Sequence, residues 1–151
     1  MILQESSKKY IGDCVYVRCA WLRGQEPLCS TSARLIDLLR AFGIHLDLYD
    51  YSLLSVIPFW RYDLIVIEQA RHQKKLILLA AIKRVRTLSY APLVVLTRQM
   101  APEFIIDGLL AGADSISSIT CCERVLSARW RALLKRWKPT AFISVTTPYR
   151  L

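Results

Sequence analysis

Two stretches of this chain, Asp63-Leu-Ile-Val-Ile-Glu68 and Pro92-Leu-Val-Val-Leu-Thr97, each set four apolar residues in a row between more polar ends. A strand with one wet face alternates polar and apolar side chains. An unbroken apolar run therefore marks a strand covered on both faces, as in a parallel sheet flanked by helices. Three further segments have strand character: Cys14–Ala20, which is apolar and β-branched, the alternating Ile44–Tyr49, and Ser115–Ile119. Helical patterns lie between them. Ser30, Thr31 and Ser32 are N-cap candidates for a helix with Leu35, Ile36, Leu38, Leu39 and Phe42 on one stripe, and Gly43 stands where a left-handed C′ residue is wanted. Ser52–Phe59 is weakly helical and is interrupted by Pro58. Lys75–Leu88 carries Leu76, Leu79, Ile82 and Val85 on one side. A further helix has Pro102 near its first position and stops at Gly112, and the last opens with Thr120-Cys-Cys-Glu123, a capping-box pattern, and ends before Pro139. Strands alternating with helices through short connections predict the α/β class: five parallel strands with helices on both faces, joined by right-handed crossovers.

The chain has 151 residues, 54% apolar and 22% charged, with five glycines and six prolines. That fits one domain with a core and excludes a disordered or collagen-like chain. The longest apolar run, Leu76–Ile82, is far short of the roughly 20 residues needed to cross a bilayer, and the first residues lack an apolar signal core. The expected location is the cytoplasm, without membrane association. Five cysteines at 14, 19, 29, 121 and 122 make no C-x-x-C pair, so the expectation is buried thiols rather than disulfides or zinc ligands. His45 and His72 lack ligand spacing, and Cys121 and Cys122 read as inert thiols despite opening a helix. No metal and no cofactor is expected. Neither a nucleophile–base set nor a Gly-rich phosphate loop is visible, so no enzyme is expected.

In a sheet of this kind ligands bind beyond the carboxyl ends of the strands. Those ends carry a resemblance. Leu96-Thr97, Gly108-Leu109 and Ala111-Gly-Ala-Asp114 reproduce at matching offsets the pattern of the receiver domain of two-component response regulators. Ala128–Arg136 is similar to that family's last helix, and Tyr62–Glu68 to the strand that ends in its phosphate-accepting Asp. The resemblance covers about residues 13–138 and implies a flavodoxin-like, receiver-type sheet with strand order 2-1-3-4-5. It leaves residues 1–12 as a tail and 139–151 as an extension, whose run Ala141–Thr147 reads as a strand opening a following output domain of the winged-helix type.

Receiver chemistry uses an Asp acceptor, two acidic residues for Mg²⁺, a Thr and a Lys. By the resemblance Glu68 stands at the acceptor position. The positions after the first strand, Cys19 and Ala20, carry no carboxylate, the switch aromatic becomes Ile116 and the phosphate-binding Lys becomes Ile119, with Thr97 alone unchanged. Losing that charge removes most of the electrostatic stabilisation of phosphoryl transfer. The expectation is an atypical, phosphorylation-independent receiver serving as a regulatory and dimerisation module, in transcriptional control. Glu68 either mimics the phosphorylated state beside Thr97 or, more simply, pairs with Arg18, Arg71 or Arg98. The four tryptophans read as packing residues, with Trp21 a candidate cover for the vacated site.

Association is expected through the family's fourth helix, fifth strand and fifth helix, here 102–112, 115–119 and 120–137. Asp107, Asp114, Arg129 and Arg131 are candidate contacts across a two-fold axis. Two alternatives remain: a stand-alone adaptor for another signalling protein, and nucleic-acid binding. The net charge of +9 and basic groups such as Lys83, Arg84, Arg86, Lys135 and Arg136 suit the latter, although solvated helix faces explain them as well. Otherwise DNA contact is expected only through the output domain.

Overall fold

A computed structural model describes residues 17–137 and the backbone of Tyr10–Ile11 and Cys14–Val15. The tail's first residues, the side chain of Cys14 and the extension 139–151 with its expected strand lie outside the described residues. Five strands form one parallel sheet: β1 (Val17–Arg23), β2 (Ile44–Asp50), β3 (Leu64–Glu68), β4 (Leu93–Thr97) and β5 (Ser115–Ser118). Their order is 2-1-3-4-5, as expected. Among the described residues four α-helices flank it: α1 (Ser30–Ala41), α2 (Lys75–Leu88), α3 (Pro102–Ala111) and α4 (Glu123–Trp137).

β3 and β4 are buried at every residue, which is what their apolar runs predicted. Because successive side chains point to opposite faces, the two runs feed two half-cores. Leu64, Val66, Val94 and Leu96 join Val17, Cys19 and Trp21 against Leu35, Leu39, Leu126 and Trp130 of α1 and α4. Ile65, Ile67, Leu93 and Val95 face the other way, onto Leu78, Ile82 and Val85 of α2 and Phe104 of α3. Trp21 meets Trp130 edge-on with ring centroids 5.9 Å apart. Each fully buried side chain of this size contributes about 1.5–3 kcal/mol.

The first strand differs from the sequence expectation of 14–20. Cys14–Val15 belongs to a small antiparallel ladder with Tyr10–Ile11, and β1 starts at Val17 and continues to Arg23. Its register is pinned where it begins. Asp63 accepts from the Arg18 N–H at 3.0 Å and donates its own N–H to the Arg18 carbonyl at 2.8 Å.

Helix ends follow local chemistry. Gly43 and Gly112 adopt φ of +85° and +129°, and Pro102 opens α3. The cap of α1 is Cys29, not a serine, with its sulfur accepting from the Ser32 N–H. α4 begins at Glu123, so Thr120 does not cap it, and the Thr120 hydroxyl pairs with Ser118 at 2.7 Å instead. The weakly helical stretch 52–59 is two 3₁₀ turns, Tyr51–Leu53 and Phe59–Arg61, because Ile57 and Phe59 turn into the second half-core around Pro58. Of the four cysteines whose side chains are described, only Cys19 is buried. Cys29 and Cys121 are partly exposed and Cys122 is exposed, which corrects the expectation of buried thiols.

Candidate functional site

The carboxyl ends of β1, β3 and β4 form a rim closed by side chains. Glu68 ends β3 at 5% exposure, and its Oε1 accepts from the indole Nε1–H of fully buried Trp21 at 2.9 Å. The Glu68 carbonyl accepts from the Tyr51 hydroxyl at 2.5 Å, and burial pushes that phenol's pKa up. Gln69 is likewise buried. Its Oε1 accepts from the Thr97 hydroxyl and from the Arg98 N–H, both at 2.8 Å, and its Nε2 donates to the Gln73 carbonyl at 3.2 Å. Thr97 also accepts from the Gln99 N–H at 3.0 Å. Gln73 Oε1 takes the Ala70 N–H at 3.0 Å, holding the turn in which His72 has φ of 65°.

The loop after β1 lies against the loop after β3. The Glu26 carboxylate accepts from the Arg71 N–H, and a Cβ added to Gly24 would come within 2.1 Å of Glu26 Oε1 and 2.7 Å of the Ala70 Cβ. Glycine is what lets the two loops approach. Burial works to raise the Glu26 pKa, but the Arg71 N–H and the charges of Arg23 and Arg98 outweigh it and hold the pKa below its ordinary value.

The expected site residues separate accordingly. Glu68 and Thr97 both reach the rim, but Thr97 is bonded to Gln69 and Gln99, not to Glu68. Ile119 is buried beside them and donates its N–H to the Thr97 carbonyl at 2.9 Å. Ile116 faces α3, where a Cβ on Gly108 would meet its Cδ1 at 2.4 Å. Cys19 and Ala20 are not at the rim. They pair with Leu64 and Ile65 in mid-strand, four and three residues before Glu68, or about 10 Å or more short of it, and burial pushes the Cys19 thiol pKa up.

Leu22 and Arg23 at the end of β1 hold the places expected of Cys19 and Ala20, because β1 runs three residues further than its composition suggested. Trp21 is a strand residue that fills the site, not a loop residue laid over it. Glu26, Gln69 and Tyr51 escaped the sequence reading. Among them Glu26 alone left a signal, as a carboxylate shortly after the first strand.

None of the three expected cations pairs with Glu68. Arg18 contacts Asp47 at 3.5 Å and lies 5.0 Å above the Tyr62 ring, while Arg71 and Arg98 offer backbone N–H groups to Glu26 and Gln69. Of the expected interface residues, Asp107 pairs with Lys75 at 2.9 Å and Asp114 with Arg86 at 2.8 Å. Arg131 stacks 3.6 Å over Phe42, and Arg129 is exposed. His45 Nε2 lies 3.3 Å from Asp47. Among the described residues no group of three or more His, Cys, Asp or Glu could hold a metal ion, and no helix is long and apolar enough to cross a membrane.

No protein-family profile and no curated protein matches the chain. Solved structures do. A two-component response regulator from Clostridium difficile superposes with a TM-score of 0.65 at 21% identity, covering 81% of this chain and 98% of its own. A response regulator from Thermotoga maritima gives 0.63 at 15%, covering 79% and 98%. The Vibrio cholerae chemotaxis protein CheY4 gives 0.61 at 16%, covering 77% and 98%. The chain has the receiver-type fold. In that fold the rim built by Trp21, Glu68, Gln69 and Thr97 occupies the ligand-binding end of the sheet, and here it is packed shut by its own side chains.

Proposed function

We propose that this chain is a receiver-fold signalling module that works without phosphoryl transfer and delivers its output by association. The observation that carries the reading is the Trp21–Glu68 hydrogen bond. Phosphoryl transfer needs an exposed nucleophilic carboxylate in line with the donor, with cations to neutralise developing charge. Glu68 instead spends a carboxylate oxygen on a neutral indole donor inside the core, and the aromatic ring fills the approach. The carboxylate on the loop after β1, Glu26, is committed to the Arg71 N–H and to neighbouring arginines. No enzymatic turnover belongs to this reading, and mimicry of a phosphorylated state is not favoured, since Thr97 answers to Gln69.

Association through α3, β5 and α4 is supported by the outer face of α3. Ile106, Leu109 and Leu110 are 56%, 45% and 82% exposed there. A helix apolar on both faces is one that a partner covers, and a second copy is the partner we favour. The setting we favour is gene regulation, which rests on the β-branched run Ala141–Thr147 after the last helix. Incubation with acetyl phosphate and Mg²⁺ tests the central part. The intact mass is expected to stay unchanged, and a gain of one phosphoryl group on Glu68 would overturn the reading.

A further inference from the structure

The other side of α4 faces α1, and between the two helices runs an open groove of about 610 Å³. Its floor is apolar, made by Leu38, Phe42, Val125 and Ala128, and arginines 124, 129 and 131 stand along it. α4 carries Arg124, Arg129, Arg131, Lys135 and Arg136 against one acid, Glu123, which is already held by Arg34 at 3.1 Å. Arg124 and Arg129 are exposed, and Val125 is 42% exposed. Spacings of three and four residues put Arg124, Ala128 and Arg131 on one stripe of the helix, and Val125 and Arg129 on the next.

We propose that this groove docks an acidic amphipathic helix of a partner protein. The apolar floor takes the partner's apolar stripe, and the arginines take the carboxylates flanking it, for which the guanidinium fork is suited. Three features select this occupant. The groove lies between two helices, so it has no open strand edge for an extended peptide to join. A second copy meeting this face symmetrically brings the same positive charge, so the partner is a different protein. Nucleic acid gains little from a largely aliphatic floor, and the one aromatic in it, Phe42, already carries Arg131 over one face of its ring at 3.6 Å, where a base would stack.

The test is fluorescence anisotropy with the full chain and a labelled synthetic peptide of about 18 residues, long enough to be helical. The peptide carries Leu at i, i+3, i+4 and i+7 with Glu on both sides of that stripe. Saturable binding is expected, weakening with salt, and lost when the glutamates are replaced by Gln. Arg124→Glu with Arg129→Glu, both exposed, is expected to weaken it about tenfold or more while leaving thermal unfolding unchanged. Lys83→Glu with Arg84→Glu on α2 changes the net charge equally and is expected to have no such effect. Equal losses in both double variants, no loss in the first, or tighter binding of a mixed-sequence DNA oligonucleotide of matched length would each overturn the proposal.

Discussion

Trp21 and Glu68 each answer a problem the other creates. A buried carboxylate needs a donor, and a buried indole N–H needs an acceptor; the 2.9 Å bond satisfies both. Trp21→Phe keeps the packing and removes the donor, so it is expected to cost about 2 kcal/mol, read as a lower urea midpoint at unchanged slope. Adding Glu68→Leu to that variant is expected to recover most of the loss, because removing both partners leaves nothing unpaired. A second residue-scale expectation concerns Asp47, which receives the Tyr62 hydroxyl at 2.6 Å. Burial works to raise its pKa, but that hydrogen bond together with His45 and Arg18 prevails and lowers it. A lowered folded-state pKa gives stabilisation that is complete above the unfolded value of about 4 and disappears as pH falls through the lower folded value. Wild type is therefore expected to exceed Asp47→Asn in urea midpoint at neutral pH, with the gap closing as the pH falls below the ordinary aspartate range. Glu68 was legible in the sequence, because a charged residue closing an apolar run has few places to go. Its partner was not. A single indole in a hydrophobic strand carries no sign of which polar group it will meet.

At the scale of elements, what the chain states locally was readable. Gly43, Pro102 and Gly112 mark helix ends through backbone geometry alone, and α1 ends, and α3 begins and ends, where those signals place them. The failures have one cause, tertiary packing overriding local pattern. Ile57 and Phe59 serve the second half-core in place of a helix, and β1 is carried past Ala20 by pairing with β2 through Arg23. Arg86 shows the same principle. It has the sequence signature of a solvated basic residue, yet its guanidinium donates to the carbonyls of Gly112, Ser89 and Ala91 and pairs with Asp114, tying α2 to the turns before β4 and β5. Arg86→Ala is expected to destabilise by roughly 2–3 kcal/mol, since several acceptors lose their donor at once. Arg86→Lys is expected to recover only part, because an ammonium cannot span the fork. Denaturant titration of the three proteins measures both.

For the whole molecule, the alternation of apolar strands and helices through short connections was enough for the α/β class, whereas the strand order, which the sheet shows, was legible only through the receiver resemblance at the strand ends. The use of its surfaces follows from how charge and apolar area are divided. α4 is strongly basic on the side facing α1, whereas α3 turns Ile106, Leu109 and Leu110 outward with Glu103 and Asp107 nearby. If α3 is the self-association face, light scattering after size exclusion is expected to give a dimer for wild type and a monomer for Leu110→Glu. A monomeric wild type at high concentration would remove that part of the account. The sealed rim is the claim on which the rest depends. It is tested most directly by following the Trp21 indole N–H in proton–nitrogen correlation spectra while Mg²⁺ and then beryllium fluoride, a phosphoryl mimic, are added. The expected result is a slowly exchanging indole resonance that neither addition moves. A saturable shift of that resonance, or its rapid exchange with water before any addition, would contradict the account.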